Sequence, residues 1–284
     1  MTNFEAILLL RCADRAGIVA AVSGYLFEQG CNIVDSQQFG DRDTGMFFMR
    51  VHLESQRGIA LDALRAGFAP LAARFDMHWD LHDCAARPRL LLLVSRYAHC
   101  LNDLLFRWQS GQLAVDIAAV ASNHADLGPM AAAYGVPFHH LPVDAATRSQ
   151  QEAALLDLVQ RERIDLVVLA RYMQILSPAL TAALEGRAIN IHHSFLPSFK
   201  GARPYAQAYA RGVKVIGATT HYVTSDLDEG PIIEQDIARV DHSLSPPALE
   251  AMGRDIESLV LARAVKSHVE HRVVLNGIKT VVFR

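Results

Sequence analysis

The spacing of apolar residues over positions 1–84 switches between the two-residue period of a strand and the three-to-four-residue period of a helix. At 47–53 every second position is apolar, so we expect a strand with one buried face. The other elements follow the same logic. The predicted strands are 6–12, 32–39, 47–53 and 75–82, and the predicted helices are 18–26 and 61–71. The order βαββαβ predicts a small α/β domain over residues 1–84.

The pattern changes after residues 85–89, where proline and charge interrupt both periods and predict a linker. The continuous apolar run at 90–94 is typical of a strand buried on both faces of a parallel sheet. Further strands are predicted at 116–121, 138–141, 166–169, 188–192 and 216–223, with helical segments between them. This alternation predicts that residues 90–284 form a doubly wound, mostly parallel, Rossmann-like domain with right-handed crossovers.

A turn signal lies near the end of the chain, where Asn276 and Gly277 stand between two apolar runs, 273–275 and 280–283. A type I′ turn needs positive φ at both central residues, and asparagine and glycine tolerate it best. The pair therefore predicts a β-hairpin with a type I′ turn.

Composition supports this organisation. At about 150 residues per domain, the 284 residues suggest two domains, and 51% hydrophobic residues are enough for two cores. The net charge is −3, without the basic stripe of a nucleic-acid partner surface. We therefore expect no nucleic-acid partner.

The chain also lacks the features of a membrane or exported protein. No apolar stretch reaches the roughly 18 residues that cross a bilayer, and the N-terminus has no basic segment typical of a signal peptide. The four cysteines are scattered, which favours reduced thiols. We expect a cytoplasmic protein with no membrane partner.

The candidate chemistry lies between residues 190 and 236. Asn190 and His192 are two apart on a predicted strand, so their side chains share a face at the carboxyl end where ligands bind in parallel sheets. His221 lies on the next strand, and Asp228 follows in an acidic loop. An amide donor, an imidazole and a carboxylate are the groups that acyl transfer needs, to stabilise an oxyanion and to move protons. From spacing alone, each could equally be a turn former, a cap or a structural histidine.

Longer motifs narrow these alternatives. The segment 190–201, Asn-Ile-His-His-Ser-Phe-Leu-Pro-Ser-Phe-Lys-Gly, closely resembles the formyltransferase family that uses 10-formyltetrahydrofolate, as do 221–223 and 227–233. The resemblance extends from about residue 89 to 240. It implies that Asn190, His192 and Asp228 are catalytic and that His221 and Lys200 support them.

A second segment, 169–177, looks like the folate loop of that family, whose backbone hydrogen-bonds the pterin ring. The folate-binding residues that it implies are Arg171, Met173, Gln174, Ile175 and Leu176. The same residues also fit a strand end that leads into a helix, with Ser177 as the cap and Pro178 at the first helical position. Both interpretations can hold together.

The N-terminal domain resembles an ACT domain, a ferredoxin-like regulatory unit, at 14–19 and 30–33. The resemblance implies an amino-acid effector, with methionine or glycine as candidates, and a homo-oligomer formed by pairing of the domains. The effector-binding residues that it implies are Asp14, Gly17, Asn32 and Ile33. Gly17 could equally serve only to ease the strand-to-helix turn.

An ACT domain ahead of this catalytic domain is the arrangement of formyltetrahydrofolate deformylases. The resemblance therefore implies hydrolysis of 10-formyltetrahydrofolate to tetrahydrofolate and formate, which supplies formate for purine synthesis and balances one-carbon folate pools. The turn at 95–102 has no glycine, so it lacks the phosphate cradle of enzymes that formylate glycinamide ribonucleotide. The alternatives are an amine-formylating transferase, acting on a ribonucleotide, a sugar or a tRNA, and a non-enzymatic amino-acid or folate sensor.

We expect no resident cofactor, because nucleotide-binding motifs are missing and the folate is the substrate. We also expect no metal site. The histidine pairs 139–140 and 192–193 are adjacent, so they would point to opposite faces of a strand, and no spaced cluster of metal ligands accompanies them.

Overall fold

The computed structural model describes residues 4–55, 58–197 and 204–284. It divides into two compact units. The first contains Met1–Ala86, Glu270–Asn276 and Val281–Arg284, and the second contains Arg87–Val269 and Gly277–Thr280. This division differs from the expected bounds of 1–84, 85–89 and 90–284 at the C-terminal end, because most of residues 270–284 pack with the first unit.

The first unit has the predicted βαββαβ order. Its elements are β1 (Glu5–Ala13), α1 (Ile18–Glu28), β2 (Cys31–Asp41), β3 (Met46–Ser55), α2 (Leu61–Phe75) and β4 (His78–Asp83). The four strands form one antiparallel sheet in the order β2-β3-β1-β4, which confirms the ferredoxin-like fold. Its main core joins side chains of the sheet, such as Leu8 and Leu10, to Val22 of α1 and Phe68 of α2.

The second unit confirms the doubly wound, mostly parallel sheet. Its elements are β5 (Arg89–Val94), α3 (His99–Gln109), β6 (Asp116–Ser122), α4 (Gly128–Ala133), β7 (Phe138–His140), α5 (Arg148–Arg161), β8 (Leu166–Leu169), α6 (Pro178–Ala183), β9 (Ala188–His192), α7 (Pro204–Arg211), β10 (Val215–Tyr222), β11 (Ile232–Arg239) and α8 (Pro246–Val269). Seven strands align in the order β11-β10-β9-β8-β5-β6-β7. No helix within the described ranges is long and apolar enough to cross a membrane.

The last two strands of that sheet, β10 and β11, run antiparallel to their neighbours, while the five strands from β9 to β7 are parallel. We did not predict β11 as a strand. Half of its residues are polar, in the sequence Ile-Ile-Glu-Gln-Asp-Ile-Ala-Arg, because it forms an edge of the sheet that is partly exposed to solvent. The predicted strands of this sheet therefore ended with β10.

The chain ends in a hairpin of β12 (Val273–Asn276) and β13 (Lys279–Val282), so the predicted hairpin is confirmed. Its type is not. The loop residues are Gly277 and Ile278, and only Gly277 has a positive φ, of 61°. That pattern is typical of a type II′ turn. Asn276 instead lies on the strand and donates a hydrogen bond of 2.7 Å to the Asp41 carboxylate.

The C-terminal segment also explains why β3 is buried on both faces, where we expected one buried face. Phe48 is fully buried against Val274 and Phe283. Arg50 is 4% exposed, and its guanidinium donates to the main-chain carbonyls of residues 270 and 271, at 3.1 Å each. A two-residue period identifies one buried face, but it cannot show that a segment more than 200 positions away covers the other.

We expect Phe283→Ala to lower the free energy of unfolding by about 3–5 kcal/mol, because it removes a buried ring from this second core. Ile278→Ala is the matched control, since Ile278 is 85% exposed at the hairpin tip, and it should change stability by less than about 0.5 kcal/mol. Urea unfolding followed by circular dichroism measures both. Equal midpoints for the two variants would contradict the packing role of the C-terminal segment.

Candidate active site

The register between β9 and β10 places the predicted catalytic side chains together. These strands pair antiparallel, with Asn190 opposite His221 and His192 opposite Thr219. Directly opposed residues share a face of the sheet, so Asn190, His192 and His221 lie on one face. His192 and His221 are both buried, and Asn190 is partly buried.

Two hydrogen bonds orient the ring of His221. Its Nδ1 lies 2.8 Å from the carbonyl oxygen of Tyr222, which can only accept, so Nδ1 carries the proton and donates. In the neutral ring Nε2 is then an acceptor, and the Asn190 amide nitrogen lies 3.3 Å from it. His221 thereby holds the Asn190 amide in a fixed orientation.

The loop between β10 and β11 brings Asp228 to the two histidines. Its Oδ1 lies 3.2 Å from His192 Nδ1 and 3.8 Å from His221 Nε2. Burial raises the pKa of the Asp228 carboxyl, but the hydrogen bond from His192 and the charge attraction of the two imidazoles in their protonated form outweigh this and hold the pKa well below its ordinary value. The carboxylate is therefore ionised at neutral pH.

This loop has a backbone that few residues could adopt. Asp228 has a φ of 58°, in the left-handed region that aspartate tolerates better than most residues. A Cβ on Gly230 would lie 1.7 Å from the Tyr222 carbonyl oxygen, the acceptor of the His221 hydrogen bond. Only glycine fits at that position, so Gly230 allows the loop to approach β10 closely enough for Asp228 to reach the histidines.

His192 presents its second nitrogen without a partner. Its Nδ1 faces Asp228, whereas its buried Nε2 has no hydrogen-bond partner within the described ranges. A buried polar atom without a partner is costly, and a bound group can supply the missing hydrogen bond. The neighbouring His193 ring has its centroid 5.2 Å from that of His192.

A cavity of about 740 Å³ in the second unit is lined by Asn190, His192, His221 and Asp228. The predicted folate loop lines the same cavity, and its members there are Arg171, Met173, Gln174, Ile175 and Leu176. The backbone N–H of Met173 is held by Ser95 Oγ at 3.0 Å. Ser177 also caps α6, because its hydroxyl accepts from the Leu180 N–H at 3.2 Å. The loop thus serves as a cavity wall and as a capped helix start.

A buried polar cluster in the same cavity was not predicted. Glu257 of α8 is 1% exposed and contacts His99, Tyr205 and Arg171. One signal was present in the sequence. Glu257 stands one helical turn before Val260 and Leu261, on the apolar face of α8, where a carboxylate needs buried partners.

Other predicted residues lie elsewhere. Lys200 falls outside the described residues. The implied effector residues belong to the first unit, where Gly17, with a φ of 94°, precedes α1. The Asp14 N–H donates to the Gly45 carbonyl at 2.8 Å, and the Asn32 side chain is exposed on β2, as Ile33 is in part.

Two groups of possible metal ligands occur within the described ranges. In each, one donor atom per residue lies within 4.8 Å of the others, and the groups are Glu5, His52 and Cys84, and His99, Cys100 and Glu257. Neither includes the adjacent histidine pairs. The absence of a metal site stays a prediction.

Comparison with family models assigns both units. The ACT domain model matches residues 6–66, and the formyl transferase model matches residues 88–265. Each match lies within one compact unit.

Full-length relatives carry a more specific name. Formyltetrahydrofolate deformylase of Corynebacterium sp. (strain P-1) is 50% identical, covering 98% of this chain and 98% of the relative. That of Escherichia coli (strain K12) is 41% identical, over 97% of each chain. A crystal structure of formyltetrahydrofolate deformylase from Burkholderia mallei ATCC 23344 is 54% identical, with a TM-score of 0.95 over 99% of this chain and 100% of that one.

A transferase shares the fold of the second unit. Glycinamide ribonucleotide transformylase 1 from Symbiobacterium toebii is 31% identical, with a TM-score of 0.67, and the match covers 72% of this chain and 98% of that one.

The His193 ring should titrate with a pKa of about 4, far below the ~6.5 of a free imidazole. Burial is the largest cause, followed by the positive charges of Arg171 and His192. Because the unfolded chain then binds more protons, His193 should lower the free energy of unfolding as the pH falls from about 6.5 to 4. NMR of labelled imidazoles, with His193→Gln for assignment, measures the midpoint. A midpoint near 6.5 would show that the ring is solvated.

Proposed function

This chain belongs to the formyltetrahydrofolate deformylase family, and we propose that Asn190, His192 and Asp228 hydrolyse 10-formyltetrahydrofolate to tetrahydrofolate and formate by direct attack of water. The His192 Nε2, which has no partner in the described part of the chain and is buried at a cavity beside an ionised carboxylate, carries this proposal. The released formate is available for purine synthesis, and the reaction balances one-carbon folate pools. The folate is the substrate, and the chemistry uses no resident cofactor or metal.

The cavity wall suits the folate. Met173, Ile175 and Leu227 are more than half exposed apolar side chains that line it, and apolar surface of this kind favours an aromatic ligand. Backbone groups of the 171–176 loop can then hydrogen-bond the polar edge of the pterin. In this pose the formyl group lies at the carboxyl end of β9, next to Asn190 and His192.

The first chemical step is attack of water on the formyl carbon. Asp228 orients the water and draws its proton, and His192, whose Nδ1 faces the same carboxylate, shares that proton. The low pKa of Asp228 makes it a weak final acceptor, so the proton comes to rest on His192. No covalent intermediate with the enzyme is formed.

The developing oxyanion receives hydrogen bonds from two preorganised donors. The Asn190 amide is held in place by His221, and protonated His192 donates from Nε2. A single donor of this kind contributes about 3–4 kcal/mol to such a step. The tetrahedral intermediate then collapses, the bond from carbon to the folate nitrogen breaks, and that nitrogen takes up the proton. Formate and tetrahydrofolate leave the cavity.

Regulation is proposed for the first unit. An ACT domain commonly binds an amino acid, and we infer an effector such as methionine or glycine at the Asp14–Gly17 turn and at Asn32 and Ile33, which lie at the opposite end of the sheet. Because β2 is an exposed edge strand, pairing of two copies along it would form a homo-oligomer. The four free cysteines favour a cytoplasmic location.

We expect Asp228→Asn to lower turnover at least about a hundredfold, because the amide can neither draw a proton nor pair with protonated His192. Folate binding should stay intact. Formate release from 10-formyltetrahydrofolate measures turnover, and fluorescence titration with folate measures binding. Asp226→Asn is the matched control, since Asp226 is an exposed carboxylate of the same loop. Near-normal turnover of Asp228→Asn would remove Asp228 from the mechanism.

For the effector, we expect methionine or glycine to release heat in calorimetry and to change the rate of formate release, and Asn32→Ala to abolish both effects. Gln38→Ala is the control, because Gln38 is also an exposed residue of β2. A coupling of about 1–3 kcal/mol would change affinity between the sites by about 5–150-fold. If neither amino acid produces heat or a rate change while the oligomer is intact, the first unit has a structural role only.

A further inference from the structure

Two oppositely charged side chains are buried in the wall of the catalytic cavity, and the proposed mechanism uses neither charge. Glu257 is 1% exposed and Arg171 is 7% exposed, and both line the cavity. The Arg171 Nε lies 3.3 Å from Glu257 Oε2. Burying an ion pair costs desolvation that hydrophobic residues of similar size would avoid. The pair therefore calls for a role beyond stability.

The Glu257 carboxylate already has a partner at each oxygen. Oε1 accepts from the Tyr205 hydroxyl at 2.5 Å, and Oε2 accepts from His99 Nε2 at 2.7 Å. Burial raises the pKa of this carboxyl, but the hydrogen bonds and the guanidinium charge hold it below its ordinary value. Gly253 leaves space for the Tyr205 ring, since a Cβ there would lie 2.1 Å from it. The carboxylate is thus closed to a ligand's amine or hydroxyl.

Arg171 is held in a conformation that favours glycine. Its φ is 65°, and its guanidinium stacks 4.9 Å from the ring centroid of Tyr97. Tyr97 belongs to the glycine-free turn before α3, and Arg254 lies over the same ring at 5.5 Å. A glycine at position 171 would adopt this φ without strain. The contacts of its side chain, and not its backbone conformation, therefore explain why an arginine occupies this position.

His193 connects this cluster to the catalytic residues. Its ring centroid lies 5.2 Å from that of His192 and 6.4 Å from that of Tyr205. The charges of Arg171, Glu257 and Asp228 all act on its pKa, so all three lie near it. His193 therefore lies between the ring of His192 and the ring of Tyr205, within contact of each.

The same carboxylate could in principle hold a metal ion together with His99 and Cys100. Two observations favour the closed ion pair instead. The Arg171 guanidinium occupies the position beside Oε2 that a cation would need. Burial raises the pKa of the Cys100 thiol well above its ordinary value, so that it stays protonated and a poor ligand.

We propose that the Arg171–Glu257 pair, with Tyr97, His99 and Tyr205 around it, closes the cavity to amine acceptors and leaves water as the acceptor of the formyl group. This rests on the proposed function, since it names what directs the formyl group to water. The fold itself does not exclude an amine, because the transformylase from Symbiobacterium toebii shares it.

The reaction that the pair would prevent is transfer of the formyl group to an amine. A primary amine attacks the formyl carbon, a new carbon–nitrogen bond forms, and the bond to the folate nitrogen breaks. The proton lost by the amine goes to the folate nitrogen, so that tetrahydrofolate and an N-formyl amide are the products. Formate is not released in such a turnover.

The test compares products formed with glycinamide present, a small primary amine that needs no phosphate cradle. The double variant Arg171→Gly/Glu257→Gln removes both charges, which avoids leaving one buried and unpaired. The single variant Glu257→Gln keeps the shape of the carboxylate. Glu250→Gln is the matched control, because Glu250 lines the same cavity from the same helix but is partly exposed and paired with Arg254. Formate and N-formylglycinamide are both quantified from 10-formyltetrahydrofolate.

We expect the ratio of N-formylglycinamide to formate to rise at least tenfold in the double variant and to stay at the wild-type value in Glu250→Gln. An unchanged ratio in a folded, active double variant overturns the proposal, and so does a folded double variant with no turnover, because the pair would then serve the chemistry itself. If the double variant does not fold, the ratio in Glu257→Gln decides in the same way. If the proposed function itself is wrong, the wild type releases no formate, so that failure can be told apart from failure of the acceptor proposal.

Discussion

An ionised carboxylate beside two imidazoles is the arrangement on which the rest of the site depends. Asp228 reaches His192 and His221 only because β9 and β10 pair antiparallel in a register that aligns their side chains. The following loop must also pass close to the Tyr222 carbonyl, where Gly230 alone fits. A shift of one residue in this register would turn His221 to the face opposite Asn190 and His192.

Two of the five residues other than glycine that have positive φ in the described ranges line this cavity. Asp228 and Arg171 both have positive φ, which costs on the order of 1–3 kcal/mol for a residue other than glycine. Asp228 contacts His192, and Arg171 forms a buried ion pair with Glu257. These contacts offset the local preference of the chain, so a strained backbone and a charged side chain occur together at both residues.

The sequence predicted what depends on local periods and on ordered motifs. The pairing of Asn190 with His192 follows from the two-residue period of a strand, and the motif resemblance extended it to Asp228. Contacts between distant segments could not be predicted in this way. His99 and Glu257 are 158 positions apart, and the cover of Phe48 by Phe283 depends on a similar return of the chain. No local period encodes which distant partner satisfies a buried carboxylate or an apolar face.

The Asp228–His192 contact and the Arg171–Glu257 ion pair are proposed to solve different parts of one chemical problem. A transferase that uses a formyl folate must bind an acceptor and keep water from competing, whereas a hydrolase only has to keep larger acceptors out, since water enters any polar cavity that has room for it. Hydrolysis can therefore arise from a transferase fold by filling space, without a new catalytic group. In the proposed mechanism the pair of Asp228 and His192 supplies chemistry that either acceptor could use, and the pair of Arg171 and Glu257 is proposed to decide which acceptor arrives. Separate residues for the two tasks allow the acceptor to change while the catalytic geometry stays the same.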